Sequence, residues 1–124
     1  MSTQVVGVSS AFLIEDQVIV SNGEGQAVAV EAAGHSVATL TFGVIESAEQ
    51  QSIEVVVLRS ADGENWDESP VLEFPQRFYA GTMAMTLDLR KYPGTAFLKA
   101  RWMVNRWGRG TLTPQFRVYL FLRA

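Results

Sequence analysis

The 124-residue sequence has no cysteine. Disulfide scaffolds, thiolate metal sites, thiol catalysis and haem attachment through Cys are therefore excluded. Histidine occurs once, as His35, in a Gly-containing turn where it is expected to titrate in solvent. A Ser-His-Asp triad would have to use it, and no G-x-S-x-G elbow is present. There is no P-loop and no G-x-G-x-x-G, so no nucleotide cofactor is expected. No cluster of His and carboxylates suggests a metal centre. No run approaches the roughly 20 apolar residues that a membrane span requires, so no membrane partner is expected. The start, Met1-Ser2-Thr3-Gln4-Val5-Val6-Gly7, has neither a basic n-region nor an apolar h-region, which points to a cytoplasmic protein.

What is present is a chain with enough apolar residues to fold. Hydrophobic residues make up 48% and charged residues 19%, a balance that excludes disorder as the main state. The length suits one domain over 1–124. Charge is distributed unevenly around a net of −3. Residues 1–89 hold all 13 acids and only two bases, Arg59 and Arg77, whereas residues 90–124 hold eight bases and no acid. Three uses fit this asymmetry: a basic surface for nucleic acid or an acidic glycan, basic strands pairing with acidic ones across a sheet, or head-to-tail association of subunits. Nucleic acid is the weakest of these, because the whole chain is acidic.

The dominant hydrophobic period is two. Ala38, Leu40, Phe42 and Val44 form one face of 37–46, and Ile53, Val55 and Val57 one face of 52–59. Met83, Met85, Leu87 and Leu89 alternate with polar or small residues. Ala96, Leu98, Ala100, Trp102 and Val104 alternate with Phe97, Lys99, Arg101, Met103 and Asn105, and Phe116, Val118, Leu120 and Leu122 with Gln115, Arg117, Tyr119, Phe121 and Arg123. Such alternation is the signature of strands with one buried face. Turn signals separate the runs at Asn22-Gly23, read as a hairpin cue, and at Gly34, Asp62-Gly63, Pro93-Gly94 and Gly108. Pro75 within 71–79 marks an edge strand or a bulge. The sequence thus predicts an all-β antiparallel sandwich, jelly-roll-like, of about eight strands. The final runs, 96–106 and 115–123, are expected to form a hairpin that presents Phe97, Lys99, Arg101, Tyr119 and Phe121 on one face.

Two segments are candidates for binding. Ser60-Ala61-Asp62-Gly63-Glu64-Asn65-Trp66 reads first as a turn that closes a hairpin, with Trp66 returning as an apolar plug; the sharper alternatives are a ligand-stacking Trp66 or a calcium loop on Asp62, Glu64, Asp67 and Glu68, whose spacing lacks the EF-hand pattern. Arg101-Trp102-Met103-Val104-Asn105-Arg106-Trp107-Gly108-Arg109-Gly110 places Arg106, Trp107 and Arg109 at a strand end. Trp beside Arg suits stacking on a sugar ring and bidentate bonding to carboxylate or phosphate. It also suits a protein interface, where aromatics and Arg are enriched, and there Arg101 and Tyr119 join the candidates.

The pattern strand-S-x-D-G-x-x-W at 60–66 resembles the discoidin (coagulation factor 5/8 type C) branch of the galactose-binding-like jelly rolls. Phe97-Leu98-Lys99-Ala100-Arg101-Trp102, Trp107-Gly108-Arg109-Gly110 and Phe116–Leu120 resemble that family's later elements, so the likeness extends over about 37–124. It implies a jelly-roll sandwich and, as a second functional reading, a carbohydrate-binding module. The first reading is a non-catalytic structural or assembly protein that self-associates through sheet surfaces. The candidate binding residues are Trp66, Arg101, Arg106, Trp107, Arg109 and Tyr119, with no catalytic residue, metal or cofactor.

Overall fold

A computed structural model describes residues 10–30, 37–108 and 113–123. His35 and Arg109 lie outside the described residues.

Among the described residues nine strands carry the fold: β1 (Ser10–Ile19), β2 (Gly23–Glu24), β3 (Val28–Ala29), β4 (Val37–Ser47), β5 (Gln51–Ser60), β6 (Leu72–Glu73), β7 (Gly81–Asp88), β8 (Phe97–Arg106) and β9 (Phe116–Arg123). A single 3-10 turn at Leu89–Lys91 follows β7. One sheet has the order β1-β9-β4-β7. The other has β2-β8-β5-β6, with β3 also pairing with β8, and the pairings are antiparallel. If β2 and β3 are counted as one interrupted strand, the chain changes sheet at every step except β5 to β6, in the pattern of two nested Greek keys, a jelly roll. Among the described residues no helix is long and apolar enough to cross a membrane.

Alternation builds the core. Leu40, Phe42 and Val44 of β4 and Phe116, Val118, Leu120 and Leu122 of β9 point inward, opposite Ile53, Val55 and Val57 of β5 and Leu98 and Ala100 of β8. All are buried, so their apolar area is removed from water at roughly 25 cal/mol per Å². The Phe42 and Phe74 rings, 5.5 Å apart, link the two layers on one side. Trp102 closes the other side, its indole N–H donating to the Ser21 carbonyl at 3.0 Å. In β1 the register shifts between Phe12 and Ile14, and Leu13 and Ile14 are both buried. A bulge of this kind lets two successive side chains face the same way.

Three local expectations are corrected. First, β8 and β9 do not form a hairpin: β8 pairs with β5, β2 and β3, whereas β9 sits between β1 and β4 in the opposite sheet. Period two fixes which side chains share a face but not which strand lies alongside. Second, Asn22-Gly23 is no hairpin turn. The chain crosses there from one sheet to the other: the Asn22 carboxamide oxygen accepts the Val104 N–H at 2.8 Å, and Gly23 lies beneath the Trp102 ring, where a Cβ would be 3.1 Å from it. Third, Trp66 does not plug the core. The 61–66 turn folds over the outer face of β5 and β8. There Gly63 meets the Phe97 ring and Trp66 lies under the Lys99 ammonium, 4.4 Å from the ring centre. Leu58 is buried although it points away from the inter-sheet core.

Other expectations hold. Pro75 falls just beyond β6 on a sheet edge, before Arg77 returns to bridge Ile53. The Ser60–Trp66 turn closes with a bridge between those two residues. The Ser60 hydroxyl accepts the Gly63 N–H at 2.8 Å, and Asp62 Oδ1 accepts the N–H groups of Glu64 and Asn65, each at 2.8 Å. Gly63 takes a φ of +82°, a conformation glycine adopts without a Cβ clash.

Candidate interaction site

The described candidate residues separate onto three surfaces. Trp66 and Arg101 lie on the outside of the β2-β8-β5-β6 sheet, and Tyr119 on the outside of the other sheet. Arg106 and Trp107 lie at one end of the sandwich, where β8 runs out.

That end is the most distinctive. Trp107 is 42% exposed, Phe78 38% and Tyr79 77%. Phe78 stands edge-on to Trp107, their centres 6.3 Å apart, and lies 6.3 Å from Tyr79. Three exposed rings are thus held in one row. The fold holds them from behind. The Trp107 N–H donates to the Gln50 carbonyl at 2.9 Å, and the Phe78 carbonyl accepts from the Ser47 hydroxyl at 2.8 Å. Gln51, 1% exposed, ties this end together. Its amide nitrogen donates to the Gln115 carbonyl at 2.6 Å and to the Ser47 hydroxyl at 3.1 Å, while its oxygen accepts the Gln115 N–H at 2.8 Å. Gln51 opens β5 in one sheet and Gln115 leads into β9 in the other, so one side chain bridges the two layers. Gly108 turns the chain after Trp107 with φ +104°. Arg106 donates to the Thr113 carbonyl at 3.1 Å.

Phe78 and Tyr79 were not among the sequence candidates. A signal for them exists: Arg77-Phe78-Tyr79-Ala80-Gly81 puts two rings in succession after Pro75, and a strand cannot turn successive side chains to the same buried face.

On the second surface the carboxylate of Glu24 accepts from Lys99 at 3.0 Å and from Arg101 at 2.9 Å. These two bonds, Lys99 first, hold the Glu24 pKa below the ordinary carboxylate value. Lys99 also sits on Trp66, a cation–π contact. Trp66 and Arg101 are therefore joined through Lys99 and Glu24 in one internally satisfied chain of contacts. A depression of about 370 Å³ opens between β1 and β2, lined by Glu15, Gln17, Glu24 and Gln26 with Leu13 and Trp102.

On the third surface Tyr119 lies over Gly43, where any Cβ would overlap its ring. Phe12, 47% exposed, packs on Phe121 at 4.9 Å and on Tyr119 at 6.4 Å. Beside them Arg117 bonds Asp16 with two nitrogens, each at 2.9 Å, and Glu46 at 3.4 Å. The bond from Arg117 lowers the Asp16 pKa. Of the three uses considered for the charge asymmetry, cross-strand pairing is observed for Lys99, Arg101 and Arg117. These bases come from the last third of the chain and their acids from the first half.

Among the described residues no group of three or more His, Cys, Asp or Glu is placed to hold a metal ion. A scan against protein-family models finds no match to this chain, and a comparison with curated proteins finds none either.

Proposed function

We propose that this protein is a non-catalytic interaction module that self-associates through its surfaces. One observation carries the reading. Several bases of the C-terminal third are engaged by the chain's own acids, whereas large apolar side chains stand exposed in two places, Phe78-Tyr79-Trp107 and Phe12, which packs on the half-buried Tyr119 and Phe121. Grouped exposed apolar side chains mark interaction sites more often than scattered ones do. Sedimentation velocity across a hundredfold concentration range tests this: a growing oligomer fraction is expected, and a monomer at every concentration rejects it.

A second reading is favoured by the row of rings at the loop end. Trp107, Phe78 and Tyr79 beside Arg106 have the chemistry that stacks on the apolar face of a sugar while a cation bonds its hydroxyls or acid groups. The discoidin-like turn at 60–66 agrees with this carbohydrate-binding alternative. Calorimetry against a glycan panel tests it, with Trp107→Ala expected to abolish any binding. An unchanged affinity in that variant sinks it.

A further inference from the structure

A sheet edge exposes unpaired backbone N–H and C=O groups, and natural proteins blunt such edges with short strands, bulges, charges or proline. Three of the four edges here carry those devices. Strand β1 has two register shifts and bears Glu15 and Asp16. The β2/β3 edge is interrupted, with two residues in each strand. Strand β6 is two residues long and is followed by Pro75.

The fourth edge, β7, carries charge only at its ends, where Asp88 closes the strand and the Arg77 guanidinium lies against Gly81. Its eight residues pair with β4 in an unbroken register from Val37–Asp88 to Val44–Gly81. No proline and no charged side chain occurs from Gly81 to Leu87. Outward it presents Thr82, Ala84 and Thr86, all exposed and small. Toward the core side it presents Met83 and Met85, which are only half-buried.

We propose that the outer edge of β7, which among the described residues pairs only with β4, is the seam at which a second copy of this chain adds, antiparallel, across a two-fold axis near Ala84. The proposal rests on the self-association reading and names its seam. The strand is complementary to its own reverse. With the axis at Ala84, Thr82 faces Thr86 of the second copy and Met83 faces Met85. Both pairs keep to one side of the sheet, as directly opposed antiparallel residues do. The half-exposed methionines of the two copies then cover each other. The flanks carry both rings and bases: Phe78 and Tyr79, with the Arg77 guanidinium against Gly81, precede β7, and Arg90, paired with Asp88, and Lys91 follow it. Reversal about the axis brings the rings of each copy toward Arg90 and Lys91 of the other, a contact that cation–π attraction favours, with Arg77 as the opposing like charge. An eight-stranded sheet continuous across two subunits is the result, and its closed symmetry leaves the seam used up.

The absence of native cysteine makes the test direct. Ala84→Cys places one thiol at the axis, where directly opposed Cβ atoms lie about 4.5–5.5 Å apart. Under mild oxidation the full-length variant is expected to form a disulfide-linked dimer. Thr39→Cys, on the exposed face of inner strand β4, is expected to stay monomeric on non-reducing gels. Ala84→Lys sets like charges against each other across the axis and is expected to weaken dimerisation at least tenfold in sedimentation velocity, with the circular dichroism spectrum unchanged. If the wild type self-associates but Ala84→Cys does not cross-link and Ala84→Lys leaves the dimer intact, the seam is wrong and the broader self-association reading survives. A wild type that stays monomeric rejects both. A monomer that instead binds a synthetic peptide of residues 80–88 overturns the two-fold seam in favour of peptide addition at this edge. Should Ala84→Lys fail to fold, the cross-linking pair alone decides.

Discussion

One side chain, that of Gln51, joins the two sheets at the aromatic end of the sandwich. Gln51→Ala removes two hydrogen bonds to the Gln115 main chain and one to Ser47. The Gln115 N–H and C=O are then left to find other partners, at about 1–3 kcal/mol for each group that stays unsatisfied. Gln115 itself is exposed, so water can reach part of the site and the low end of that range applies. Adding the void left in a pocket where Gln51 is 1% exposed gives a loss of about 2–3 kcal/mol. At about 2.1 cal/mol/K of unfolding entropy per residue, a chain of this size loses roughly 4 °C of Tm per kcal/mol, so a fall of about 8–12 °C is expected. Urea and thermal unfolding followed by circular dichroism measure it. Gln51→Glu keeps the volume but turns a donor into an acceptor opposite the Gln115 carbonyl, so it is expected to be no better than Gln51→Ala. A loss under about 0.5 kcal/mol for Gln51→Ala would refute the idea that this carboxamide joins the layers.

Four further outcomes are expected. Gly43→Ala forces a Cβ into the Tyr119 ring and is expected to cost about 1–3 kcal/mol; in a double-mutant cycle Tyr119→Ala should recover most of that loss, and strict additivity would contradict the close approach. Glu24→Ala breaks two ion pairs on an exposed face and is expected to cost less than about 1 kcal/mol in urea unfolding, a larger loss showing that the Glu24 cluster matters more than its exposure suggests. Acid stability follows from four carboxylates held below their ordinary pKa: Asp16 by Arg117, Glu24 by Lys99 and Arg101, Asp62 by the N–H groups of Asn65 and Glu64, and Asp88 by Arg90. Depressed folded-state values mean the stabilisation is complete above the unfolded values, near 3.8 for Asp and 4.5 for Glu, and drains away as pH falls below them. The urea midpoint should therefore drop below about pH 4 and drop less steeply in Asp62→Asn, an identical slope in both removing Asp62 from the account. Gly63→Ala, at φ +82°, should lower stability by about 1 kcal/mol or more in the same assay; a neutral result would place that turn in another conformation.

Layering and core were legible in the sequence because period two is enforced by covalent geometry. Leu40, Phe42, Val118 and Leu120 had to share a side with their alternate neighbours, and they are buried. Strand adjacency was not legible. Nothing local to 96–106 tells it to lie beside 51–60 rather than beside 115–123, since both neighbours offer an apolar face, and the choice is made by the global closure of two sheets. Asn22-Gly23 misled for a related reason. The Asn22 side chain bonds Val104, 82 residues away, and Gly23 is small because Trp102 covers it, so both residues answer to tertiary contacts and not to a turn. The turn at 60–66 was legible because its bonds are all local. Of the aromatic end, Trp107 was visible at a strand terminus, whereas Phe78 and Tyr79 were hidden in a segment read only for its proline. The single face expected to join Arg101 to Tyr119 depended on the missing hairpin and disappeared with it.

The strands at the centres of the two sheets, β8 and β9, are also the last in chain order. During synthesis the earlier strands therefore emerge with their principal neighbours still unmade. Before residue 97 leaves the ribosome only the β4–β7 and β5–β6 pairs are available, and β1 has nothing to hold. Closure must come late and nearly all at once, leaving a long interval in which alternating apolar faces are open to chaperones or to neighbouring nascent chains.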